Sequence, residues 1–488
     1  MKLINLPVVL RVQGWLLLIE ATFMTAPIAV AAYYHEWPTA ICFTYATLLT
    51  LAAGLVMARF LKPKPGAAMR RREGVLLTAI IWVFFSFFGM LPLLFTGTLD
   101  NVTDAFFETM SGFTTTGSSV IADVEALPRA VLFWRSTMQW IGGMGIILFT
   151  LAVLPMLNQK GGIALFNAEV TGITHERLRP RVSQTAKDLW LIYIILTMAM
   201  TVLLASPMGW FDALSHAMTT MATGGFSTKN VGLHYWNDHY IYGVAIVFMF
   251  LGGINFSLIY SASRGRFDRV RSNDTFRFYC LMTAVVAVVI FINMCVEGYA
   301  SSNGDRAVFA LFDTVAAITS TGLNTIDYET RGEFIAMLLM LVMFFGGMAG
   351  STSGGAKIDR LIVLLKNTLN EFYRVLHPNA VKTVRLNGRA LAHTLVAKVI
   401  AFLAIYVMVT FVSALVLTLY ELPIVDSLHT SLAMVSNYGL GYGTTAMPGG
   451  FAALPDPAKW MLAIEMLVGR LELFTVLVIF TPAFWRKD

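Results

Sequence analysis

Residues 104–118 read DAFFETMSGFTTTGS, an apolar run that ends in small polar residues and a glycine. Three later segments align with it without a gap: DALSHAMTTMATGGF at 212–226, FALFDTVAAITSTGL at 309–323 and DSLHTSLAMVSNYGL at 426–440. The aligned glycines are Gly117, Gly225, Gly322 and Gly439. A single threonine–glycine pair is common in turns, but four in register, at intervals of about 100 residues, indicate an internal repeat.

The composition indicates an integral membrane protein. Of the 488 residues, 57% are hydrophobic and 13% are charged, against about 25% charged residues in soluble domains. Many apolar stretches are about 20 residues long, the length of a helix that crosses a bilayer. The formal net charge of +6 is explained by the Lys and Arg that membrane proteins collect in their cytoplasmic loops. We therefore expect no nucleic-acid partner.

The repeat divides the chain into five parts. Residues 1–72 hold two extra N-terminal spans and a basic loop, and the repeats occupy 73–183, 184–274, 275–388 and 389–488. Each repeat consists of a span, a half-span of ten to twelve residues that ends in the glycine turn, and a second span. The predicted fold is an all-α polytopic membrane protein with ten spans and four re-entrant half-helices, whose repeats are arranged around a pseudo-fourfold axis.

The basic residues predict the orientation of the chain. Lys and Arg concentrate in the segments between repeats, such as 158–188 and 366–398, and are sparse around the glycine turns. Because an excess of Lys and Arg marks the cytoplasmic side, both termini and the inter-repeat loops are predicted to be cytoplasmic. The four turns then enter from the outer face.

The half-spans predict a cation site. They are too short to cross the bilayer, and non-helical backbone at membrane depth is tolerated only where protein buries it or where it lines a water-filled cavity. Four such turns around one axis form a ring of carbonyl oxygens that can replace the water shell of K⁺. The candidate K⁺ ligands are Thr115, Thr116, Gly117, Thr223, Gly224, Gly225, Ser320, Thr321, Gly322, Asn437, Tyr438 and Gly439.

The half-helices are expected to favour a cation because their negative C-terminal ends point at the ring. Asp104, Asp212 and Asp426 are the predicted N-caps. In the third repeat Phe309 replaces the acid, and Asp305, one turn earlier, predicts that this half-helix begins sooner.

The second spans repeat a glycine pair, whose plain interpretation is close helix packing. The pairs are Gly142–Gly143, Gly252–Gly253 and Gly346–Gly347, and the fourth repeat has Gly469–Arg470. The third pair continues into GGMAGSTSGGAK at 346–357, which is incompatible with a lipid-facing helix. We predict a flexible plug in the path below the ring, formed by Gly346, Gly347, Gly350, Ser351, Thr352, Ser353, Gly354, Gly355 and Lys357, with Arg470 at the same level.

Arg470 has two interpretations. It is either a structural ion pair with Glu465 or Glu472, or a fixed charge on the axis that repels cations and donates hydrogen bonds to the carbonyls of the loop. The loop itself is not a phosphate-binding motif, since Ala356 separates Gly355 from Lys357 and the context is a membrane span. We therefore expect no nucleotide on this chain.

This organisation resembles the Trk/Ktr/HKT superfamily of potassium transporters, and most closely the bacterial TrkH type. The resemblance covers essentially the whole chain, with SGFTTTGSS, MATGGFST, AITSTGLNT and SNYGLGYG in the places of the four filter loops. It implies potassium uptake across the bacterial inner membrane, an intramembrane gating loop at 346–357, a homodimer and a cytoplasmic TrkA-like nucleotide-binding ring as partner. Four filter glycines accompany selectivity for K⁺ over Na⁺ in that family.

Three alternatives stay open. The same fold could couple K⁺ uptake to H⁺ or Na⁺ as a symporter, or the chain could be a subunit that needs others to move ions. A polytopic membrane enzyme is a third alternative, with Glu108, His216 and Asp313 as candidate catalytic residues because each stands nine residues before its glycine. Without a paired base or metal-ligand spacing, a non-enzymatic function is the stronger prediction.

Overall fold

The structure is a computed structural model that describes residues 4–61, 69–145, 182–299, 302–323, 332–446 and 448–486. Its helices in chain order are α1 Leu6–Tyr33, α2 Trp37–Phe60, α3 Arg71–Gly89, α4 Leu91–Phe95, α5 Val102–Phe113, α6 Arg129–Gly143, α7 Val182–Met208, α8 Trp210–Met221, α9 His239–Gly252, α10 Phe256–Ser263, α11 Phe267–Arg271, α12 Asp274–Val296, α13 Asn303–Ile318, α14 Glu333–Phe345, α15 Ile358–Leu376, α16 His393–Thr418, α17 Ile424–Val435, α18 Asp456–Arg470, α19 Leu473–Leu477 and α20 Pro482–Trp485. The described chain departs from the predicted all-α class only in a hairpin of two-residue strands, Arg385–Leu386 with Arg389–Ala390.

Within the described residues, six helical segments are long and apolar enough to cross a membrane. They are Leu6–Tyr33, Trp37–Phe60, Arg72–Phe95, Gln184–Met208, Asp274–Val296 and His393–Thr418. The first two are the extra N-terminal spans, and the other four are the first spans of the four repeats. The chain is therefore a multi-pass, mostly helical membrane protein.

In the described residues, the second helix of each repeat ends at or next to the glycine pair. Helix α6 ends at Gly143 and α18 ends at Arg470, while α9 and α10 meet at a bend of 105° after Gly252. In the third repeat α14 ends at Phe345 and α15 begins only at Ile358. The helices end there because glycine has low helix propensity. In the second repeat Asn255 is the N-cap of α10, since its Oδ1 accepts a hydrogen bond from Ser257 N (2.8 Å).

The four half-helices α5, α8, α13 and α17 lie at the centre of the fold and contain 12, 12, 16 and 12 residues. The third begins earlier than the others, as Asp305 predicted. Their inward packing depends on small side chains at one aligned position, where Ala105, Ala213, Ala310 and Ser427 are all buried. Each half-helix delivers its C-terminal end to the same central layer.

The predicted N-caps are wrong. Asp104, Asp212 and Asp426 occupy the third position of their helices, and Asp305 does so in α13. Two of these carboxylates hold outer loops: Asp212 Oδ1 accepts a hydrogen bond from Thr228 (2.7 Å) and Asp426 Oδ2 accepts one from Thr444 N (2.9 Å). An acid in the first turn still stabilises the positive end of the helix.

Candidate functional site: the ring of glycine turns

The four half-helices end in the same backbone motif. After α5, Thr116 N donates to Ser111 O (2.9 Å) and Thr115 N donates to Gly112 O (3.1 Å), a Schellman cap. Equivalent pairs of bonds close α8, α13 and α17. The left-handed residue of such a cap is usually glycine, but here it is Thr115, Thr223, Ser320 or Asn437, with φ between 50° and 55°.

The left-handed conformation strains the backbone of a threonine. In all four turns a residue with a polar side chain adopts this conformation. Two residues further on, each aligned glycine also has a positive φ, 92° at Gly117, 78° at Gly225, 69° at Gly322 and 75° at Gly439. Strain of this kind persists where the surrounding structure enforces it and tends to mark functional sites. The turns are therefore one structural motif, repeated four times.

The four turns form a closed ring in the order of the repeats. A Cβ atom added to Gly117 would lie 2.1 Å from Gly224 O, and one on Gly225 would lie 2.1 Å from Thr321 O. A Cβ on Gly322 would lie 2.1 Å from Tyr438 O, and one on Gly439 would lie 1.9 Å from Thr116 O, which closes the circuit. Each glycine thus faces the carbonyl oxygen that precedes the next glycine, and a side chain at any of the four positions would displace the neighbouring turn.

Side chains behind the ring hold two of its junctions. Gln139, in α6, is fully buried, donates from Nε2 to Gly224 O (2.7 Å) and accepts at Oε1 from Phe226 N (3.0 Å). Between the fourth and first turns, Asn437 Nδ2 donates to Thr116 Oγ1 (3.0 Å) and Ser118 Oγ donates to Gly439 O (2.9 Å). Of these, Gln139 and Ser118 were not among the predicted site residues.

One signal in the sequence points to Gln139. It stands three residues before the first glycine of its pair, where the other repeats have Met249, Met343 and Met466. A lone amide in an otherwise apolar register is a candidate for a specific hydrogen bond, because a buried amide is costly without one.

On one side the ring opens into a cavity of about 320 Å³ that all four glycines line. The loops after the first two turns close part of it, since Asn230 Oδ1 accepts from Val124 N (2.8 Å) and Asn230 Nδ2 donates to Asp123 Oδ1 (2.9 Å). The hydrogen bond from Asn230 is the main reason that the pKa of Asp123 lies below its ordinary value. Lys229 also lines the cavity, with its ammonium 4.3 Å from the centre of the Tyr235 ring.

Two of the three candidate catalytic residues brace the turns. Glu108 pairs with Arg135 (2.8 Å) and accepts hydrogen bonds from Ser119 Oγ and Val120 N, just beyond Gly117. His216 Nε2 lies 2.9 Å from Ser227 Oγ, at the equivalent place beyond Gly225. Asp313 is buried at the same helical position of α13. Glu108 and His216 therefore join their half-helices to the chain just beyond the turns.

The other side of the ring is covered by the 346–357 loop, which is non-helical throughout. Thr352 Oγ1 donates to Met221 O (3.1 Å) and to Gly252 O (3.0 Å) in the second repeat. Gly354 N donates to the Ser320 hydroxyl of the third turn, and Gly355 N donates to Ser436 O (2.9 Å) at the end of α17. The loop therefore contacts three repeats directly beneath their turns.

The two ends of the loop are held by charged side chains. Asp359 accepts hydrogen bonds from Ala349 N (2.7 Å) and from Thr275 Oγ1 of α12 (2.9 Å). Lys357 Nζ donates to Ser353 O within the loop. Arg360 pairs with Glu472 (2.5 Å) and so connects the start of α15 to the end of the fourth repeat.

Arg470 connects the loop to the first repeat. Its Nη1 donates to Thr352 O (2.8 Å), and its Nη2 donates to Gly142 O (2.8 Å) and Gly143 O (3.2 Å). Of its two predicted partners, Glu472 pairs with Arg360 (2.5 Å), and Glu465 Oε1 accepts a hydrogen bond from Ser431 Oγ (2.9 Å). One of these acceptors, Thr352 O, is a carbonyl of the loop, and the other two belong to the first repeat. Both interpretations of Arg470 stay predictions.

The glycine pairs allow the close approach that their packing interpretation predicts. A Cβ on Gly142 or on Gly469 would lie 2.0 Å from the carbonyl oxygen of the last residue of the half-helix in the same repeat, Phe113 or Val435. A Cβ on Gly143 or Gly253 would collide with Tyr193 Oη (2.6 Å) or Tyr279 Oη (2.5 Å) of the next repeat.

Within the part of the chain that the structure describes, no group of three His, Cys, Asp or Glu side chains is arranged to hold a metal ion. The polar atoms gathered at the ring are instead backbone carbonyls and hydroxyls. Carbonyl and hydroxyl oxygens suit hard cations, whereas transition metals select imidazole or thiolate.

Comparison with known proteins places this geometry in a family. Residues 41–487 match the TrkH family, described as cation transport protein. The Trk system potassium uptake protein TrkH of Halomonas elongata is 35% identical over 491 residues, which cover 99% of this chain and 100% of that protein. The protein of the same name from Escherichia coli K12 is 35% identical over 481 residues, which cover 98% and 99%.

The fold is similar to the crystal structure of the potassium transporter TrkH from Vibrio parahaemolyticus. The TM-score is 0.89 at 33% sequence identity, and the match covers 99% of this chain and 100% of that one. These relatives are named as transporters, so the enzymatic interpretation of Glu108, His216 and Asp313 is set aside. With a family match over most of its length and relatives at 35% identity that cover nearly all of it, the chain belongs to the TrkH family of cation transport proteins.

Proposed function

We propose that this protein takes up K⁺ across the bacterial inner membrane through the centre of the ring of glycine turns. The observation that carries the proposal is the closed circuit of contacts from Gly117 through Gly225 and Gly322 to Gly439. Four turns with the same backbone conformation present equivalent oxygens around one axis, which is what coordination of a dehydrated K⁺ requires. The names of the relatives, potassium uptake proteins, agree with K⁺ as the transported ion.

The selectivity filter in this proposal consists of the three residues that end at each glycine. The carbonyl oxygens of Thr116, Gly224, Thr321 and Tyr438 form one level of the filter, since these are the oxygens that the circuit of glycines contacts. The left-handed residue of each turn, such as Thr115, supplies oxygens on the side of the half-helix. The C-terminal ends of the half-helices add a negative potential that favours a cation at this level.

The 346–357 loop is the gate of the proposed path. It lies against Met221 O, Ser320 and Ser436 O, beneath the turns, and the Arg470 guanidinium joins it to the first repeat. A fixed positive charge at this level opposes the passage of cations, and release of the Thr352 carbonyl from Arg470 would free the loop to move. Gly346, Gly350 and Gly355 have φ between 69° and 78°, so the loop depends on backbone conformations that other residues seldom adopt.

We propose that the protein works as a homodimer with a TrkA-like cytoplasmic ring as regulatory partner. Support for the dimer comes from α15, where Leu365, Leu369, Phe372 and Leu376 form one helical face and are 43–77% exposed. The proposed ring site consists of the basic residues of segment 366–398, which begins within α15. The equally basic segment 158–188 lies largely outside the described residues. Both termini are placed in the cytoplasm by the distribution of Lys and Arg.

The test is uptake of radioactive Rb⁺ into liposomes that contain only the purified chain. Uptake above that of protein-free liposomes, reduced by competing K⁺ more than by Na⁺, is the expected result. Background uptake would instead show that other subunits are needed to form the path. The zero-current potential under opposed K⁺, Na⁺ and pH gradients then separates mechanisms: it follows the K⁺ gradient alone for a channel, and it shifts with Na⁺ or H⁺ for a symporter.

Binding of the regulatory ring is tested by co-purification of the membrane protein with a TrkA-like protein. The parent is compared with variants in which the arginines of segment 366–398 are neutralised. Loss of the complex supports docking at this segment, and tight binding by every variant would exclude it.

A further inference from the structure

The second filter turn differs from the other three in the residue before its glycine. Thr116, Thr321 and Tyr438 carry side chains at this position, whereas the second turn has Gly224. The side chains of Thr116 and Thr321 are held by hydroxyl pairs, Thr116 Oγ1 with Thr114 Oγ1 (2.8 Å) and Thr321 Oγ1 with Thr319 Oγ1 (2.7 Å). Gly224 has no side chain to hold, and glycine has the least restricted backbone of all residues.

Gln139 occupies the space that a side chain at 224 would take. A Cβ atom on Gly224 would lie 2.5 Å from Gln139 Cδ. The carboxamide spans the aligned glycine, with Nε2 on the carbonyl of Gly224 and Oε1 on the amide of Phe226. Because both bonds come from one planar group, they set the position and the orientation of the peptide groups on either side of Gly225.

The same carbonyl is a member of the ring. Gly224 O is the oxygen that faces Gly117 in the circuit of turns. The equivalent positions behind the other turns are methionines, Met249, Met343 and Met466, which are fully buried but cannot donate a hydrogen bond. Of the four turns, the second therefore combines a glycine before its filter glycine, Gly224, with a glutamine behind it, Gln139.

We infer that Gln139 is a positioning residue for K⁺ selectivity, which fixes the Gly224 carbonyl in the one turn whose own sequence leaves it free to rotate. The inference rests on the proposed filter, but it concerns a single turn. A carbonyl that can tilt inward adapts to the smaller Na⁺ ion. Restraint of Gly224 O by Gln139 therefore disfavours Na⁺ more than K⁺.

The test compares zero-current potentials of Gln139→Met with those of the parent. Methionine fills the buried space as it does in the other repeats and removes both hydrogen bonds. We expect the K⁺/Na⁺ permeability ratio to fall about fivefold, equivalent to the ~1 kcal/mol that one buried hydrogen bond contributes. Met249→Leu is the matched control, since it alters the equivalent position behind the third turn without loss of a polar contact, and its ratio stays at the parent value.

A second variant tests the pairing itself. Gln139→Met combined with Gly224→Thr recreates the combination of Met249 and Thr321 in the neighbouring repeat, and Gly224 does not have a positive φ that would exclude threonine. We expect the ratio to recover towards the parent value. If Gln139→Met is not recovered as a folded protein, Gly224→Ala tests the same contact by displacing the carboxamide, with the same expected fall.

A parent-like ratio in whichever of these two single variants is recovered would overturn the inference. Failure of the filter proposal is recognised separately, because Gly225→Ser would then also leave the ratio unchanged. A lower ratio in Gly225→Ser beside an unchanged ratio in Gln139→Met rejects the role of Gln139 alone.

Discussion

The four repeats have the same backbone conformation in the ring of turns but differ from one another in the layer beneath it. In the ring, the left-handed residues of all four turns have φ within 50–55° and the aligned glycines all have positive φ. Beneath it, the repeats differ: α9 and α10 meet at a bend of 105°, residues 346–357 form a loop, and α18 ends at Arg470 where α6 ends at Gly143. Coordination of one ion needs equivalent oxygens on all sides, whereas one asymmetric obstruction is enough to close a path.

This comparison predicts different phenotypes for the two layers. Changes in the ring should alter which ion passes, and changes beneath it should alter how fast K⁺ passes. The four predictions that follow run from the largest expected effect on transport to the smallest.

Substitution of a ring glycine has the largest expected effect. In Gly225→Ser the new Cβ would lie 2.1 Å from Thr321 O, so the second and third turns must move apart. We expect the K⁺/Na⁺ permeability ratio to fall more than about tenfold, which needs a differential cost of only ~1.4 kcal/mol. Gly322→Ser should behave alike because of Tyr438 O. Zero-current potentials in planar bilayers measure the ratio.

Gly243→Ala is the matched control for these variants. Gly243 lies in α9 and no atom lies within 4 Å of an added Cβ, so selectivity should match that of the parent. Unchanged ion preference in both serine variants would remove the four-turn ring as the filter.

Removal of Gly350 to Gly354 is expected to raise passive Rb⁺ flux more than any point substitution in the lower layer. The deletion eliminates the contacts of Thr352 with Met221 O and Gly252 O, and with them the loop segment beneath the turns. The K⁺/Na⁺ ratio should change little, because the ring is not altered. Flux at background level from a folded, dimeric protein would show that the loop has a structural role.

Arg470→Ala is expected to conduct K⁺ faster with unchanged ion preference. The variant removes a fixed charge and the hydrogen bonds to Thr352 O and Gly142 O. A unit charge acting across a watery cavity contributes of order 0.5–1 kcal/mol, so the flux should rise roughly two- to fivefold.

Arg470→Lys separates the effect of the charge from that of the hydrogen bonds, since lysine keeps the charge and cannot span Thr352 O and Gly142 O. Arg264→Ala, at the end of α10, is the control. A slow or misfolded Arg470→Ala that recovers when Glu465 or Glu472 is neutralised would instead establish a structural ion pair.

Substitutions on the exposed face of α15 are expected to change ion preference least. Leu369→Glu with Phe372→Glu places two charges on the proposed dimer surface, where burial of each apolar side chain is worth about 1.5–3 kcal/mol. We expect a shift from dimer to monomer in size-exclusion chromatography with light scattering, with the K⁺/Na⁺ ratio preserved. A dimer that withstands both substitutions would place the interface elsewhere.

The repeat and its centre were predictable from the sequence because both depend on local chemistry. A half-span that ends in a small polar residue and a glycine has few backbone conformations available at membrane depth, and Gly117, Gly225, Gly322 and Gly439 all adopt the same one. The count of ten spans stays a prediction, because six helices of the described chain are long and apolar enough to cross a membrane. Hydropathy does not reveal that the second helices break at the glycine pairs, since glycines in a membrane helix are equally compatible with straight packing.

The acids Asp104, Asp212 and Asp426 illustrate a second limit. Sequence position alone could not distinguish the N-cap from the third helical residue, because a carboxylate stabilises the start of a helix from either position. These acids contact Lys459 of α18, far along the chain, and Thr228 and Thr444 on the other side of their turns.

By itself, the sequence determined the membrane class, the fourfold repeat and the identity of the residues in the ring, since hydropathy, spacing and glycine geometry are local properties. Only the tertiary structure decided which carbonyl each glycine faces, that Arg470 donates to Thr352 and Gly142, and that Gln139 stands behind Gly224. These are contacts between different repeats. Their partners are separated by 85 to 328 residues, and no periodicity along the chain specifies which repeat a side chain reaches when four similar units close around one axis.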